Sequence, residues 1–281
     1  MDLPSPKMIR LETGDASFLF SEKTGSLPII LLHGGGLDQA SLSWRHLFPL
    51  LAQTNTVIAP NWPGYVGSAA FDGPYGISDL GRWLLDLMNN LDIERADMVG
   101  ISMGGGAALW AALNAPERIR RLVPVGTYGV QQYAPYHWLS YILLQLPVNA
   151  ISYGLMRQSR WLTQQMLKAI FADPDRIDDD LIDEVMAAMK AHDTSDSFSN
   201  FQRAEIAPDR LRTVFIDSIH NISHPTLFIH GRHDSLVPLD AVEQAAKQMP
   251  DAKVEVLETG HWPMRERPDL FNPLVERFLR D

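Results

Sequence analysis

At 281 residues with 46% hydrophobic side chains, the chain is long enough for one large domain with an insertion, or for two domains. It has no cysteine, which excludes disulfides, a cysteine nucleophile and thiolate metal sites. A net charge of -10 and a pI near 5.3 disfavour nucleic acid and anionic membrane surfaces as partners. Residues 1–10 lack a long apolar core, and no stretch reaches the roughly 18 uninterrupted apolar residues of a membrane span. A cytoplasmic protein without membrane insertion is therefore expected.

Residues 8–20 and 27–33 are predicted strands. The second is apolar without alternation, as in a strand buried on both faces, and runs into His33-Gly34-Gly35-Gly36. Glycines there let backbone N–H groups turn into a cavity. Residues 41–53 are a predicted helix, and 56–60 another buried strand. A turn-rich link from Asn61 to Ser68 precedes a helix that Ser78 can cap. In it Leu80, Trp83, Leu84, Leu87, Met88 and Leu91 recur at helical spacing.

A short strand at 96–99 then reaches Gly100-Ile101-Ser102-Met103-Gly104. The run from Ala107 to Leu113 is built of helix formers and stops at Pro116. Ser102 thus lies where a strand ends and a helix begins, the context of a nucleophile elbow. Gly100 and Gly104 leave room at so tight a turn. The start of the following helix points its positive end at a developing oxyanion.

After a strand at 122–125 the alternation of strands and helices stops. Residues 128–209 contain no convincing buried strand. They are predicted to form helices near 135–146, 150–157, 160–171 and 178–192, lying over the sheet. The aromatic residues there are mostly packing, with a minority lining a pocket. The sheet resumes at 225–230, followed by a helix at 239–249, a strand at 253–257 and a helix at 268–279. The expected fold is α/β: a mostly parallel central sheet covered by helices on both faces, with an inserted helical cap. Its core spans 1–127 and 210–281, and its cap 128–209.

A serine hydroxyl needs a base, and the base needs an acid to hold its tautomer. His261 follows a buried strand and a glycine, so its ring leaves a strand's C-terminal edge, as Ser102 does. In a parallel sheet those edges share one side. His33 is the rival, with a role in holding the glycine loop by hydrogen bonds. His230 ends a buried strand and is expected as a satisfied core residue. Asp234, which leaves the strand before that of His261, is the expected orienting acid, and Asp217 the runner-up.

Taken together, His33-Gly34-Gly35-Gly36, Pro63 to Ser68, Gly100 to Gly105, Gly231-Arg232-His233-Asp234 and Gly260-His261 resemble the capped, serine-nucleophile α/β-hydrolases, in that family's order. The resemblance covers nearly the whole chain. It implies an oxyanion hole from the backbone N–H groups of Met103 and Gly35, with Gly36 a second choice. The substrate pocket is expected between the insertion and the sheet, near Gly36, Tyr128, Trp138 and Trp262. Many relatives carry Asp where this chain has Asn61, a structural position. Ser102 in place of an aspartate argues against haloalkane dehalogenase and epoxide hydrolase chemistry.

The leading expectation is a serine hydrolase that cleaves a small or medium apolar carboxylic ester through an acyl-enzyme. An alternative is a C–C hydrolase of the meta-cleavage type acting on dienoic ring-fission products, which Gly260-His261-Trp262 also resembles. Two departures tell against it: Ile101 where that group tends to have Asn, and Thr163-Gln164-Gln165-Met166-Leu167 where it tends to have a cap arginine, with Arg157 and Arg160 nearby. A third reading, a ligand-binding protein with little turnover, fits poorly with a full set of triad candidates. No metal or other cofactor is expected, the partner is a small apolar molecule, and the oligomeric state does not follow from the sequence.

Overall fold

The computed structural model describes residues 3–23, 25, 27–191 and 195–280. Strands β1 (Lys7–Leu11) and β2 (Gly14–Ser21) form an antiparallel hairpin. One strand was expected over 8–20. The break falls at Gly14, whose φ of +122° suits only a residue without a side chain. Strands β3 (Ile29–Leu32), β4 (Val57–Pro60), β5 (Ala96–Ile101), β6 (Ile119–Val125), β7 (Thr226–Gly231) and β8 (Ala252–Leu257) complete one sheet, ordered β1-β2-β4-β3-β5-β6-β7-β8. From β4 to β8 every neighbouring pair is parallel. Their C-terminal ends therefore lie along one edge.

Alternation along the buried strands feeds two apolar layers. Ile30, Leu32, Met98, Leu122 and Phe228 point to one, and Ile29, Leu31, Val99, Val123, Leu227 and Ile229 to the other. The expected helix over 41–53 is two short ones, α1 (Ala40–Ser43) and α2 (Leu47–Leu51). Pro49 accounts for the break: it has no N–H for the carbonyl of Arg45, and its ring would collide with that carbonyl. Helices α3 (Ile77–Asn90) and α4 (Met103–Asn114) cover the first layer. In β5, buried Asp97 pairs with Arg120 of β6 through bonds of 2.8 and 2.5 Å, which explains a charge inside an apolar run.

Between β6 and β7 lie α5 (His137–Leu143), α6 (Val148–Met156), α7 (Arg160–Lys168), α8 (Asp179–Ala191) and α9 (Ser195–Glu205). The last was not anticipated. Helix α10 (Leu239–Gln248) packs on the first layer, α11 (Pro263–Glu266) follows β8, and α12 (Pro268–Arg280) covers the second layer. Among the described residues no single helix is long and apolar enough to cross a membrane. Helices α5 and α6 meet that length and composition test only together, bent by 84°.

Candidate active site

Ser102 sits between β5 and α4 with φ 50° and ψ -115°, a conformation costing about 1–3 kcal/mol. The surroundings hold it there. Its N–H donates to the Val125 carbonyl at 2.9 Å, and its own carbonyl accepts from Gly106 and Tyr128 N–H, both at 3.0 Å. A Cβ on Gly100 would meet the Gly104 carbonyl oxygen at 2.5 Å, and one on Gly104 would run into the Leu32 carbonyl. The two glycines are thus a steric requirement of the turn. Met103 opens α4, so its amide belongs to the first-turn N–H groups that have no acceptor within the helix.

His261 Nδ1 lies 2.7 Å from Asp234 Oδ2, and both side chains are buried. That contact places the proton on Nδ1 and leaves Nε2 as an acceptor. The other carboxylate oxygen of Asp234 accepts from the Leu236 and Val237 N–H groups at 2.8 and 3.0 Å. Burial raises the Asp234 pKa, but the His261 ring, His230 and the Val237 N–H outweigh it and hold the group below its ordinary value. His230 is buried, its Nε2–H donates to the Val237 carbonyl at 3.0 Å, and its ring stands 3.7 Å from Asp234. Its Nδ1 has no partner, so it is less fully satisfied than expected. Asp217 is exposed.

The His261 loop is tied to the inserted helices. His261 N–H donates to the Ile170 carbonyl at 2.7 Å. Buried Glu266 accepts from Gly260 N–H at 2.8 Å, Asp173 N–H at 2.8 Å and Ala172 N–H at 3.0 Å. Gly126, with φ +43°, leaves the space that Asp234 and His261 fill: a Cβ there would lie 3.1 Å from both.

The glycine loop is braced from beneath. His33 Nδ1–H donates to the Gly34 carbonyl at 2.7 Å, and its Nε2 accepts from Trp62 N–H at 3.1 Å. Burial lowers the His33 pKa to about 3, against a smaller opposing effect of the Gly34 carbonyl, so the ring is neutral. Asp38 accepts from Gly34 N–H at 2.7 Å, Gln39 N–H at 2.8 Å and Ser43 Oγ–H at 2.5 Å. Trp262 Nε1–H in turn donates to Ser43 Oγ at 3.1 Å. Burial pushes the Asp38 carboxyl up to about 6, with these bonds opposing it.

These elements open onto one cavity of about 620 Å³. Ser102, Met103, His261, Gly35, Gly36, Tyr128 and Trp262 all line it. Trp138 does not: it lies on α5, 69% exposed, and its proposed place in the pocket is withdrawn. No residue of helix α5 is buried and none lines the cavity, so the helix presents no face to it. Sequence reasoning missed Asp38, Tyr153, Phe198, Phe201 and Glu205, which also line the cavity. Phe198 and Phe201 are stacked at helical spacing on α9, and a Cβ on Gly35 would lie 2.6 Å from the Phe198 ring. The i, i+3 pair of phenylalanines was the available signal. Among the described residues no cluster of three or more His, Asp or Glu side chains is arranged to hold a metal.

Comparison with known proteins fits this geometry. Residues 28–268 match the family described as alpha/beta hydrolase fold. The chain is 30% identical to a 2-hydroxy-6-oxononadienedioate/2-hydroxy-6-oxononatrienedioate hydrolase of Cupriavidus pinatubonensis, over 97% of this chain and 94% of that one. It is 31% identical to a 2-hydroxymuconate semialdehyde hydrolase of a Pseudomonas species, over 90% and 87%. Among solved structures, a serine hydrolase of Cycloclasticus zankles superposes with a TM-score of 0.83 over 98% of both chains at 23% identity, a likeness of fold. The chain belongs to the α/β-hydrolase fold family, and it is an enzyme of the hydrolase class.

Proposed function

We propose that Ser102, His261 and Asp234 form a catalytic triad that hydrolyses a carbon–carbon bond next to a conjugated ketone, as in the meta-cleavage type. The observation that carries the reaction type is the identity, over nearly the full length, with hydrolases whose names specify oxo-dienoates and a muconate semialdehyde. The expectation led with an ester; these relatives favour the alternative. Ile101 and the stretch from Thr163 to Leu167 remain departures. The helices at 128–209 would act as a cap over a core made of 1–127 and 210–281.

In this reading Ser102 Oγ attacks the ketone carbon while His261 Nε2 takes its proton. The carbonyl oxygen becomes an oxyanion facing the Met103 and Gly35 N–H groups. With the substrate in its vinylogous 1,5-diketone form, collapse breaks the adjacent C–C bond, and its electron pair passes through the neighbouring double bond onto the second carbonyl as an enolate. His261 returns the proton to that fragment, which leaves. Water, deprotonated by His261, then hydrolyses the acyl-serine. Asp234 stabilises the imidazolium throughout.

The test compares kcat/KM for a vinylogous 1,5-diketone and for p-nitrophenyl esters, with fluorophosphonate labelling of Ser102 as the check on the nucleophile. Turnover of the diketone, lost in Ser102→Ala, supports the proposal. Turnover of esters alone would return the chain to the ester reading, and an unlabelled Ser102 would remove the triad.

A further inference from the structure

We infer that the substrate is uncharged: the cavity selects against a free carboxylate. This rests on the cavity being the reaction chamber, and it departs from the carboxylates that the relatives' names describe.

The first observation is the charge of the wall. Among the described residues no lysine or arginine lines the cavity, whereas two carboxylates do, Asp38 and Glu205. Both are buried. Glu205 accepts from Ile77 N–H at 2.7 Å, Thr213 Oγ1–H at 2.9 Å, Thr213 N–H at 3.1 Å and Tyr128 O–H at 3.2 Å. Donors on every side are the environment of an ionised carboxylate.

The nearby cations are engaged elsewhere. Arg160 reaches outward to Asp179 at 2.7 Å and to Asp183. Arg157 Nε–H donates to the Tyr153 carbonyl at 3.4 Å, within its own helix. Arg265, behind Trp262, donates to the Leu42 carbonyl at 2.7 Å and to Glu184 at 2.5 Å. What remains positive is the amide end of α4, and the reacting carbonyl occupies it. A substrate carboxylate would be taken out of water into an apolar chamber, beside two like charges, without a counter-ion.

The second observation is that neutral donors of the wall are engaged within the protein. Gln131 Nε2–H donates to the Leu236 carbonyl at 3.1 Å. Asn149 Nδ2–H donates to Gln202 Oε1 at 2.7 Å and to Ser199 Oγ at 3.0 Å. These amides therefore do not stand in for the missing counter-ion.

The experiment uses two matched pairs, each a free acid and its primary carboxamide: a 2-hydroxy-6-oxo-dienoic acid pair, and a pair of p-nitrophenyl adipate monoesters. The amide is expected to exceed the acid in kcat/KM by about a hundredfold in whichever pair is turned over. Equal or better turnover of the acid overturns the inference. If only the ester pair reacts, the C–C reading fails while that pair still decides the charge. Calorimetric binding of both adipates and both dienoic compounds to Ser102→Ala needs no turnover, and an acid bound as tightly as its amide is equally fatal. Met166→Arg on α7, which places a cation in the wall, is expected to narrow the gap at least about tenfold.

Discussion

Replacing Glu266 tests how the histidine loop is held. Its carboxylate is buried and gathers three backbone N–H groups, one from Gly260 beside His261 and two from Ala172 and Asp173 after α7. Glu266→Ala leaves three buried donors without an acceptor. An unsatisfied buried donor costs roughly 1–3 kcal/mol, and water entering the vacated space recovers part of it, so we expect a net loss of about 4 kcal/mol. At about 2–4 °C per kcal/mol for a chain of this size, the melting temperature falls by about 8–16 °C. Glu266→Gln keeps one acceptor oxygen but turns an NH2 towards a donor, and is expected to lose about half as much. Thermal melts at one scan rate, paired with kcat, read both effects. A Glu266→Ala protein that melts within about 2 °C of the parent with unchanged kcat would refute the idea that this carboxylate positions the loop.

Asp234→Asn should fold normally and lose about a thousandfold or more in kcat, because the amide favours the wrong imidazole tautomer; near-parent turnover would show that another acid orients His261. Asp38 binds its proton more tightly folded than unfolded, its pKa rising from 3.8 to about 6. Its contribution to stability therefore grows as pH falls from about 6 towards 3.8, and its ionised form is a cost at neutral pH. The melting temperature of the parent relative to Asp38→Asn should rise across that window, and a fall would contradict the sign. Gly104→Ala drives a Cβ into the Leu32 carbonyl and is expected to cost about 3 kcal/mol or more, seen as insoluble or early-melting protein. Gly154→Ala on α6 meets nothing within 4 Å and should gain about 0.5–1 kcal/mol, raising the melting temperature by about 1–4 °C in a thermal scan.

The residues of the proposed triad were legible because each is tied to a local constraint. Ser102 needs glycines two positions either side, and His261 and Asp234 follow buried strands whose apolar runs are unmistakable. The inserted helices offered no such constraint. Helix α9 reads as a polar segment, since Phe198 and Phe201 are its only large apolar residues. Its fit depends on the missing side chain of Gly35, far away in sequence. Trp138 went astray for the opposite reason. Helix α5 is rich in apolar residues, as a pocket-lining helix would be, yet it buries none of them, and the tryptophan ended outside.

The charge of the cavity was hidden by the same geometry. Arg160 opens α7 and turns to the acidic residues of α8, while Leu162 and Met166, four residues apart on the same helix, turn inward. Successive side chains on a helix are about 100° apart, so one residue of phase separates a cation in the wall from a cation in solvent. The sheet edge fixes the chemistry through close backbone contacts that a sequence must obey, whereas the phase of one short helix fixes the charge of the chamber. Relatives that share every glycine and triad position can therefore differ in whether they admit a carboxylate, and the reaction type transfers between them more readily than the substrate does.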